Sequence, residues 1–243
     1  MLEAISKMFD STFPASFINF SFLPKYASYF VDGVLNTLAL SIVAVLLAVI
    51  PALLLALMRL SKNRFIHGLS GAYIAVFRST PLMVQLAIIY FGIFYIIQVP
   101  RVYIGFIRLD MFIPFVVSLA LNSSAYVAEI FRSGIMSIDN GQFEAGRSLG
   151  FNYPQTMWYI IMPQAFKNVL PALCNEFIAL LKETSIAGYI GLQDLTKGGD
   201  IIRSRTYSAF MPLIAVALIY LAIVLIFTQL IKILERRLRQ SEH

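Results

Sequence analysis

Long apolar runs separated by short polar segments dominate this 243-residue chain and limit the folds that it can adopt. The clearest run extends from Thr37 to Leu60, carries Arg59 at its end and is followed by Ser61-Lys62-Asn63-Arg64. A helix crosses the hydrocarbon core of a bilayer in about 20 apolar residues, because all its backbone polar groups are then hydrogen-bonded within the segment. With 59% apolar and only 13% charged residues, the chain is predicted to be an integral membrane protein.

We predict an all-α membrane protein with five transmembrane helices. After the first run, the predicted spans are Leu69–Ile97, Met111–Phe131, Val169–Ile190 and Phe210–Leu234. The second contains Arg78 and Pro81 and is longer than a perpendicular span needs, so we expect a tilt or a kink near Pro81. Residues 37–234 then form the membrane domain, between an extracytoplasmic or interfacial arm at 1–36 and a tail at 235–243.

The distribution of Lys and Arg predicts the orientation. One side collects Arg59, Lys62, Arg64, Arg132, Arg147, Lys167, Lys232, Arg236, Arg237 and Arg239; the other has Lys7, Lys25, Arg101, Arg108, Lys197, Arg203 and Arg205. Because cytoplasmic flanks carry the excess of basic residues, the first side is predicted to be cytoplasmic. In this multi-pass protein of the cell membrane, the N-terminus would then lie outside and the C-terminal tail in the cytoplasm.

Composition also limits the classes of function that the chain can have. One cysteine and two histidines exclude a disulfide framework and argue against metal chemistry. The net charge of +6 suits anionic lipid surfaces, and no nucleic acid is needed to explain it. We find no constellation of nucleophile, base and metal, so the chain is not expected to be an enzyme.

A polar segment at residues 132–168, called here the 132–168 loop, separates the third and fourth predicted spans. Asp139 with Gln142 is a candidate capping box for a first short helix, and Gly150 is a candidate stop. A second helix is expected to begin at Asn152 with Gln155, carry Pro154 in its first turn and end at Pro163. The first helix would present Phe143, Glu144, Arg147 and Ser148 outward. The alternative is an interfacial helix tucked under the bundle.

The same loop resembles a known family. Glu144-Ala145-Gly146, Gly150, Ile160 and Met162-Pro163 are similar in type and spacing to the cytoplasmic loop of the permease subunits of ATP-binding-cassette (ABC) importers of type I. Gly146 replaces the usual second Ala, and Met162 replaces Leu. The resemblance implies a coupling helix that docks on a separate ATPase subunit. The residues concerned are Gln142, Phe143, Glu144, Ala145, Gly146, Arg147, Ser148 and Gly150.

ATP and Mg²⁺ would therefore be bound by the partner subunits, with no cofactor in this chain. The spacing Gly141, four residues, Gly146-Arg147-Ser148 approximates a phosphate-binding loop. No strand is predicted before it, however, and Arg stands where that loop has Lys. We therefore do not expect this chain to hydrolyse ATP.

Further segments are similar to the polar amino acid branch of these importers. They are Phe77 to Leu86, Ala125 to Arg132 and Asn175 to Ser185, and the resemblance as a whole covers about residues 37 to 234. The stretch Ile201 to Thr206 is similar to members that carry cystine. The resemblance implies a second permease copy in a homodimer or a heterodimer, an extracytoplasmic substrate-binding protein and an amino acid substrate.

Polar residues inside the predicted spans are candidates for the substrate pathway, because a charge at membrane depth costs about 2.5 to 3.5 kcal/mol on insertion scales. A zwitterion needs an anionic partner for its ammonium and donors for its carboxylate. The predicted pathway residues are Arg78, Thr80, Pro81, Gln85, Asn122, Ser123, Glu129, Asn175, Lys182 and Glu183. Structural pairing within the bundle is the alternative for the charged ones. At the level of the whole protein, the rival prediction is an ion-coupled secondary transporter of small polar solutes.

Overall fold

The structure, a computed structural model, describes residues 19–105 and 107–240. The helices are α1 (Leu23–Leu60), α2 (Arg64–Ser79), α3 (Leu82–Ala87), α4 (Phe94–Ile97), α5 (Leu109–Met136), α6 (Asn140–Ser148), α7 (Tyr153–Thr156), α8 (Met162–Glu183), α9 (Leu195–Thr206) and α10 (Met211–Gln240). Two π-helical turns, Ile88–Ile93 and Met157–Ile161, join α3 to α4 and α7 to α8, and a 3₁₀ helix, Thr184–Ile190, follows α8. Strands β1 (Tyr103–Ile104) and β2 (Ile107–Arg108) form an antiparallel hairpin in which Tyr103 pairs with Arg108.

Helix α1 begins earlier than its apolar run. We predicted a span from Thr37, whereas the helix starts at Leu23 with Pro24 in its first turn. Its first turns pack through Phe22 and Phe30 against Leu195 and Met211, so burial favours helix before the continuous apolar run starts. The boundary predicted at residue 36 therefore falls inside a helix, and the part of the predicted arm at residues 1–18 lies outside the described residues.

The predicted second span is divided at Pro81. Helices α2 and α3–α4 meet at an angle of 103°, with the break at Thr80 and Pro81. The position of the predicted kink is confirmed, but the bend is much sharper than a kink in one helix. Helix α2 also starts five residues before the prediction, at Arg64, because the Asn63 side chain caps it by accepting from the backbone N–H groups of Phe65 and Ile66.

Three apolar clusters lie at successive levels of the bundle. The Phe115 cluster contains Leu40, Ala44, Leu86, Phe115, Leu119 and Leu180; the Ala125 cluster contains Ala52, Ala56, Ile74, Ala125 and Ala128; and the Ile161 cluster contains Ile135, Ile161 and Ala165, with Leu60, Phe143 and Ile160 against it. Helices α1 and α5 pass through the three clusters in the same order and are therefore parallel. Helix α8 runs the other way, from Ala165 to Leu180.

Length and composition identify three described helices that could cross a membrane, namely α1, α5 and the Met211–Leu238 part of α10. The bent α2–α4 segment is a fourth if it counts as one span. The predicted span Val169–Ile190 is not among them, since α8 carries Lys167, Glu176, Lys182 and Glu183 and gives way to the 3₁₀ helix at Thr184. The count of five spans stays a prediction.

Helix α9 is held between α1 and α10 by glycine contacts. A Cβ on Gly33 would lie 2.7 Å from Leu195 Cα, and one on Gly198 would lie 2.8 Å from the Tyr29 carbonyl oxygen. Asp194 caps the helix by accepting from the N–H groups of Thr196 and Lys197, each at 2.9 Å. Burial raises the pKa of the Asp194 carboxyl, while these two hydrogen bonds act in the opposite direction. The helix is thus fixed by close backbone contact and by its cap.

Candidate functional site

The break at Pro81 is stabilised by one side chain. Proline has no N–H, so the Phe77 carbonyl, four residues earlier, loses its helical donor. Gln85 replaces that donor, because its Nε2 lies 2.8 Å from the Phe77 oxygen, 3.0 Å from the Thr80 backbone oxygen and 2.8 Å from Thr80 Oγ1. The amide of Gln85 therefore bridges the two helices and satisfies carbonyls that the break leaves free.

Gln85 keeps one free polar atom. The residue is 7% exposed, and its Oε1 is buried without a hydrogen-bond partner in the described part of the chain. The three acceptors around Nε2 fix the orientation of the amide, since a flipped amide would place oxygen against oxygen. A buried acceptor without a donor is costly, and an ammonium or N–H group that reached it would remove that cost. Gln85 is thus mainly structural through Nε2, whereas Oε1 can accept from a ligand.

A second polar group lies next to this break and joins α2, α5 and α8. Ser123 Oγ donates to Glu176 Oε1 at 2.9 Å, and Ser123 is fully buried. The Arg78 guanidinium lies 5.2 Å from the centre of the Tyr126 ring and interacts electrostatically with Glu176. Arg78, Ser123 and Glu176 are therefore brought together, between the levels of the Phe115 and Ala125 clusters.

Tyr126 and Glu176 were not among the predicted pathway residues. Both residues lie in segments that resemble the polar amino acid importers, but the contact of Glu176 with Ser123 depends on how α5 packs on α8. Asn122, next to Ser123, is buried at 3% exposure as a polar residue of the same helix turn.

The remaining pathway candidates on α8 differ in exposure. Asn175 and Lys182 are exposed, and Lys182 forms no ion pair with any described residue. Glu183 is half-buried and likewise lacks a hydrogen bond or ion pair within the described ranges. Glu183 interacts electrostatically with Glu176, seven residues earlier and thus on nearly the same helix face. The C-terminal half of α8 therefore carries two acidic groups and one lysine that has no ion pair within the described ranges.

Glu129 does not join this group. Its Oε2 accepts from Arg132 Nε at 2.8 Å, and its Oε1 lies 3.8 Å from Arg59 Nε. Arg59 in turn lies close to His67, with 2.6 Å between Nη1 and Nε2. Glu129 thus ties the ends of α1 and α5 together, as in the structural pairing that we kept as the alternative.

The 132–168 loop contains a rigid, capped helix. Asp139 Oδ1 accepts from the Gly141 N–H at 2.7 Å at the start of α6. At its end Gly150 has φ +84°, and the N–H groups of Gly150 and Phe151 donate to the carbonyls of Arg147 and Gly146, which is a Schellman motif. The predicted stop at Gly150 is confirmed. The predicted capping box of Asp139 and Gln142 does not form, because Asp139 accepts from the N–H of Gly141 rather than from that of Gln142, and Gln142 Oε1 accepts from Gln164 Nε2 at 3.3 Å.

The second helix of the loop differs from the prediction at its end. Asn152 and Gln155 form the predicted reciprocal capping box. Pro163 does not close the helix, which continues through the π-helical turn Met157–Ile161 into α8. Proline normally clashes with the carbonyl four residues earlier, here that of Tyr159. Since Tyr159 lies in the wider π-helical turn, the helix accommodates Pro163, and the predicted stop was wrong.

Helix α6 packs on this second helix through Gly146. A Cβ on Gly146 would lie 2.7 Å from Thr156 Cγ2 and 3.0 Å from Ile160 Cδ1, so the glycine permits close approach. Phe143 is half-buried and stacks on Tyr153 with 6.0 Å between ring centres, rather than pointing outward as predicted. Glu144, Arg147 and Ser148 are exposed, as predicted. Helix α6 is thus fixed to the bundle on one face and polar on the other.

The described residues contain no group of three His, Cys, Asp or Glu side chains that could hold a metal ion. The described residues offer two candidate functional features, namely the polar groups of the bundle and the exposed face of α6. Neither has the geometry of covalent catalysis.

Comparison with known proteins assigns the chain to a class. Residues 44–240 match the family described as binding-protein-dependent transport system inner membrane component. The chain belongs to this family and is a multi-pass protein of the inner membrane.

Two curated relatives and one solved structure specify the similarity. The chain is 40% identical over 217 residues to a putative glutamine transport system permease protein of Rickettsia typhi (strain ATCC VR-144 / Wilmington), covering 89% of this chain and 95% of the relative. It is 39% identical over 225 residues to the arginine transport system permease protein of Bacillus subtilis (strain 168), covering 93% and 99%. A solved amino acid ABC transporter with histidines matches with a TM-score of 0.82 and 45% identity, covering 90% of this chain and 99% of that one.

These relatives are transport permeases rather than enzymes, which confirms the prediction that this chain is not an enzyme. The permease fold of an ABC transporter is confirmed as well.

Proposed function

We propose that the chain is the transmembrane subunit of an ABC importer for polar amino acids, and that α6 couples it to separate ATPase subunits. The observation that carries the coupling role is the exposed Glu144 on a helix fixed at both ends. Its carboxylate has no partner among the described residues, while α6 itself is anchored through Gly146 and Phe143. A short rigid element transmits a rigid-body motion that a flexible loop would absorb.

The class of substrate is supported by the relatives and by the polar groups of the bundle. The relatives are named for glutamine and arginine, and the solved structure contains histidines. Gln85 Oε1 and the acidic groups of α8 can accept from an ammonium, and Arg78 can donate to a carboxylate. In the stretch similar to cystine carriers, Arg203 pairs with Asp200 at 2.8 Å and Arg205 lies over the Tyr29 ring. We therefore propose polar amino acids as the class, without assigning cystine.

A second permease subunit completes the proposed pathway. Arg78, Asn175 and Lys182 are exposed polar groups at a depth where lipid contact is unfavourable. Facing a second copy, or a homologue in a heterodimer, would remove them from lipid. Binding of ATP and Mg²⁺ by the two ATPases would then bring the coupling helices together and open the pathway outward, where a substrate-binding protein delivers the amino acid. The rival secondary transporter is not favoured, since the relatives belong to ABC systems.

The coupling role is tested by Glu144→Lys. The residue is exposed and unpaired among the described residues, so the variant should fold and insert normally, yet it should lose recovery of the ATPase partner in a pull-down from detergent-solubilised membranes. Glu235→Lys, at the inner end of α10, makes the same charge change outside the loop and serves as the control. Undiminished recovery of the ATPase partner by Glu144→Lys would contradict the docking role.

A further inference from the structure

Three exposed aromatic side chains lie on the helical segment that precedes α8, and this group is called here the aromatic face. Trp158 is 70% exposed, Tyr159 66% and Tyr153 65%. Within the described ranges, the Trp158 indole N–H and the two tyrosine hydroxyls have no hydrogen-bond partner. Side chains with a large apolar body and a free polar tip are suited to the boundary between hydrocarbon and water.

The height of this face in the bundle matches such a boundary. Trp158 lies in the π-helical turn whose Ile161 packs in the Ile161 cluster, together with Leu60 and Ile135. Leu60 is the last residue of α1, and Ile135 is the penultimate residue of α5. The aromatic face is therefore at the level where two candidate spans end.

The charges at this level complement an anionic surface. Basic residues outnumber acidic ones among the side chains that flank the ends of these helices, where Glu129 and Asp139 are set against Arg59, Lys62, Arg64, Arg132 and Lys167. Anionic lipid headgroups attract such basic flanks near the membrane surface. The exposed face of α6 differs, since it carries Glu144, Arg147 and Ser148 and no large apolar side chain. One loop thus presents two chemically distinct surfaces.

We propose that Trp158, Tyr159 and Tyr153 form a lipid anchor that sits in the headgroup region of the bilayer and sets the height of α6. Thr156 and Ile160, on the same segment, support Gly146 directly. Insertion of the aromatic side chains therefore holds the polar face of α6 at a fixed distance from the membrane surface. This role concerns a lipid surface and does not depend on which protein binds Glu144.

Trp158 is the only tryptophan of the chain, so its fluorescence reports the depth of the anchor directly. The full chain, assembled with its ATPase partners, is reconstituted in vesicles whose lipids carry bromine either near the headgroup end or near the methyl end of the acyl chain. The same complex with Trp158→Phe supplies the partner background for subtraction. We expect a larger loss of Trp158 emission with bromine near the headgroup, and little quenching by aqueous acrylamide.

Other outcomes overturn the anchor. Stronger quenching by bromine near the methyl end would place Trp158 in the hydrocarbon core. Strong acrylamide quenching without bromine quenching would place it in water. Protection from both quenchers would mean that protein covers it, which would make this face part of the ATPase-binding surface. The measurement needs neither ATP nor substrate, so its failure leaves the Glu144 pull-down unaffected.

Discussion

At the scale of single residues, we propose that Arg78 binds the substrate carboxylate. It sits in the last turn of α2, over the Tyr126 ring and in electrostatic interaction with Glu176, yet its guanidinium forms no ion pair closer than 4 Å with any described residue. Arg78→Ala should raise the apparent KM for uptake roughly ten-fold or more, since a hydrogen bond to a charged group is worth about 1.5 to 3 kcal/mol. Uptake of radiolabelled amino acid into vesicles measures this change.

Two comparisons separate binding from structure at this position. Arg64→Ala removes an exposed arginine from the other end of α2 and should leave uptake unchanged. Recovery of the ATPase partner should persist in both variants. Normal uptake kinetics in Arg78→Ala would show that the arginine has a structural role alone.

For Gln85 we predict an effect on stability rather than on uptake alone, because its amide stabilises the break whether or not substrate is present. Gln85→Leu leaves the carbonyls of Phe77 and Thr80 without their donor and removes one unsatisfied acceptor, Gln85 Oε1, and each unsatisfied buried group costs about 1 to 3 kcal/mol. We expect a lower Tm of the purified permease in detergent, without any substrate. Gln85→Glu should lower the Tm further, since a carboxylate places negative charge against two carbonyl oxygens.

Gln142→Leu, an exposed glutamine with one contact of 3.3 Å, should change the Tm little and is the matched control for Gln85→Leu. If Gln85 served only as a substrate ligand, Gln85→Leu would keep the substrate-free Tm of the native chain and alter uptake alone.

At the scale of elements, the contact of α6 with the following helix depends on Gly146. Gly146→Ala gains about 1 kcal/mol of helix propensity. The added methyl group would, however, lie within 3.0 Å of Thr156 and Ile160, and overpacking of this kind costs typically 1 to 3 kcal/mol. Because Thr156 is 1% exposed and cannot easily move aside, we expect the cost of overpacking to exceed the gain in helix propensity and the Tm to fall.

A second substitution tests the cause. Thr156→Ala removes both Thr156 atoms that the methyl group would meet, so the double variant Gly146→Ala/Thr156→Ala should be more stable than the sum of the single effects predicts. Additive effects in this double-mutant cycle would contradict the proposed contact.

The same loop shows which features the sequence could predict. The cap at Asn152 and Gln155 and the stop at Gly150 were predicted correctly, because capping depends on residues three or four positions apart. The end of the second helix at Pro163 was predicted wrongly, since the π-helical turn that accommodates the proline has no signal in local composition. Sequence therefore predicted hydrogen bonds within one helix turn, but not the irregular geometry that packing permits.

In the candidate substrate pathway too, the sequence predicted local features but not those that depend on packing. Pro81 marked the break, as its missing N–H dictates locally. Three other features could not be predicted without knowing which helices pack together. They are the two roles of Gln85, the contact of Ser123 with Glu176 and the ion pairs of Glu129. A sequence lists the polar groups at membrane depth, whereas tertiary packing decides which of them remain free.

At the scale of the whole molecule, the parallel course of α1 and α5 constrains the topology. Leu40 lies with Phe115 at one level, and Leu60 lies with Ile135 at another. The chain must therefore return from the level of Leu60 to that of Phe115 between these helices, and the bent α2–α4 segment is the connection. By the same argument α8 returns from Ala165 to Leu180 before α10 begins. The packing thus supports five crossings, although hydropathy identifies fewer.

This topology predicts which loops each side of the membrane can reach. In a Cys174→Ser background, single cysteines are placed at Lys62 and Arg101, which flank the bent segment, and at the exposed Leu149 and Tyr207. In intact cells a membrane-impermeant maleimide should label Arg101→Cys and Tyr207→Cys, because both lie on the predicted outer side. Lys62→Cys and Leu149→Cys should react only after permeabilisation. Labelling of positions 62 and 101 from the same side would mean that α2–α4 is a re-entrant loop, and the count of five spans and the predicted orientation of the termini would both be wrong.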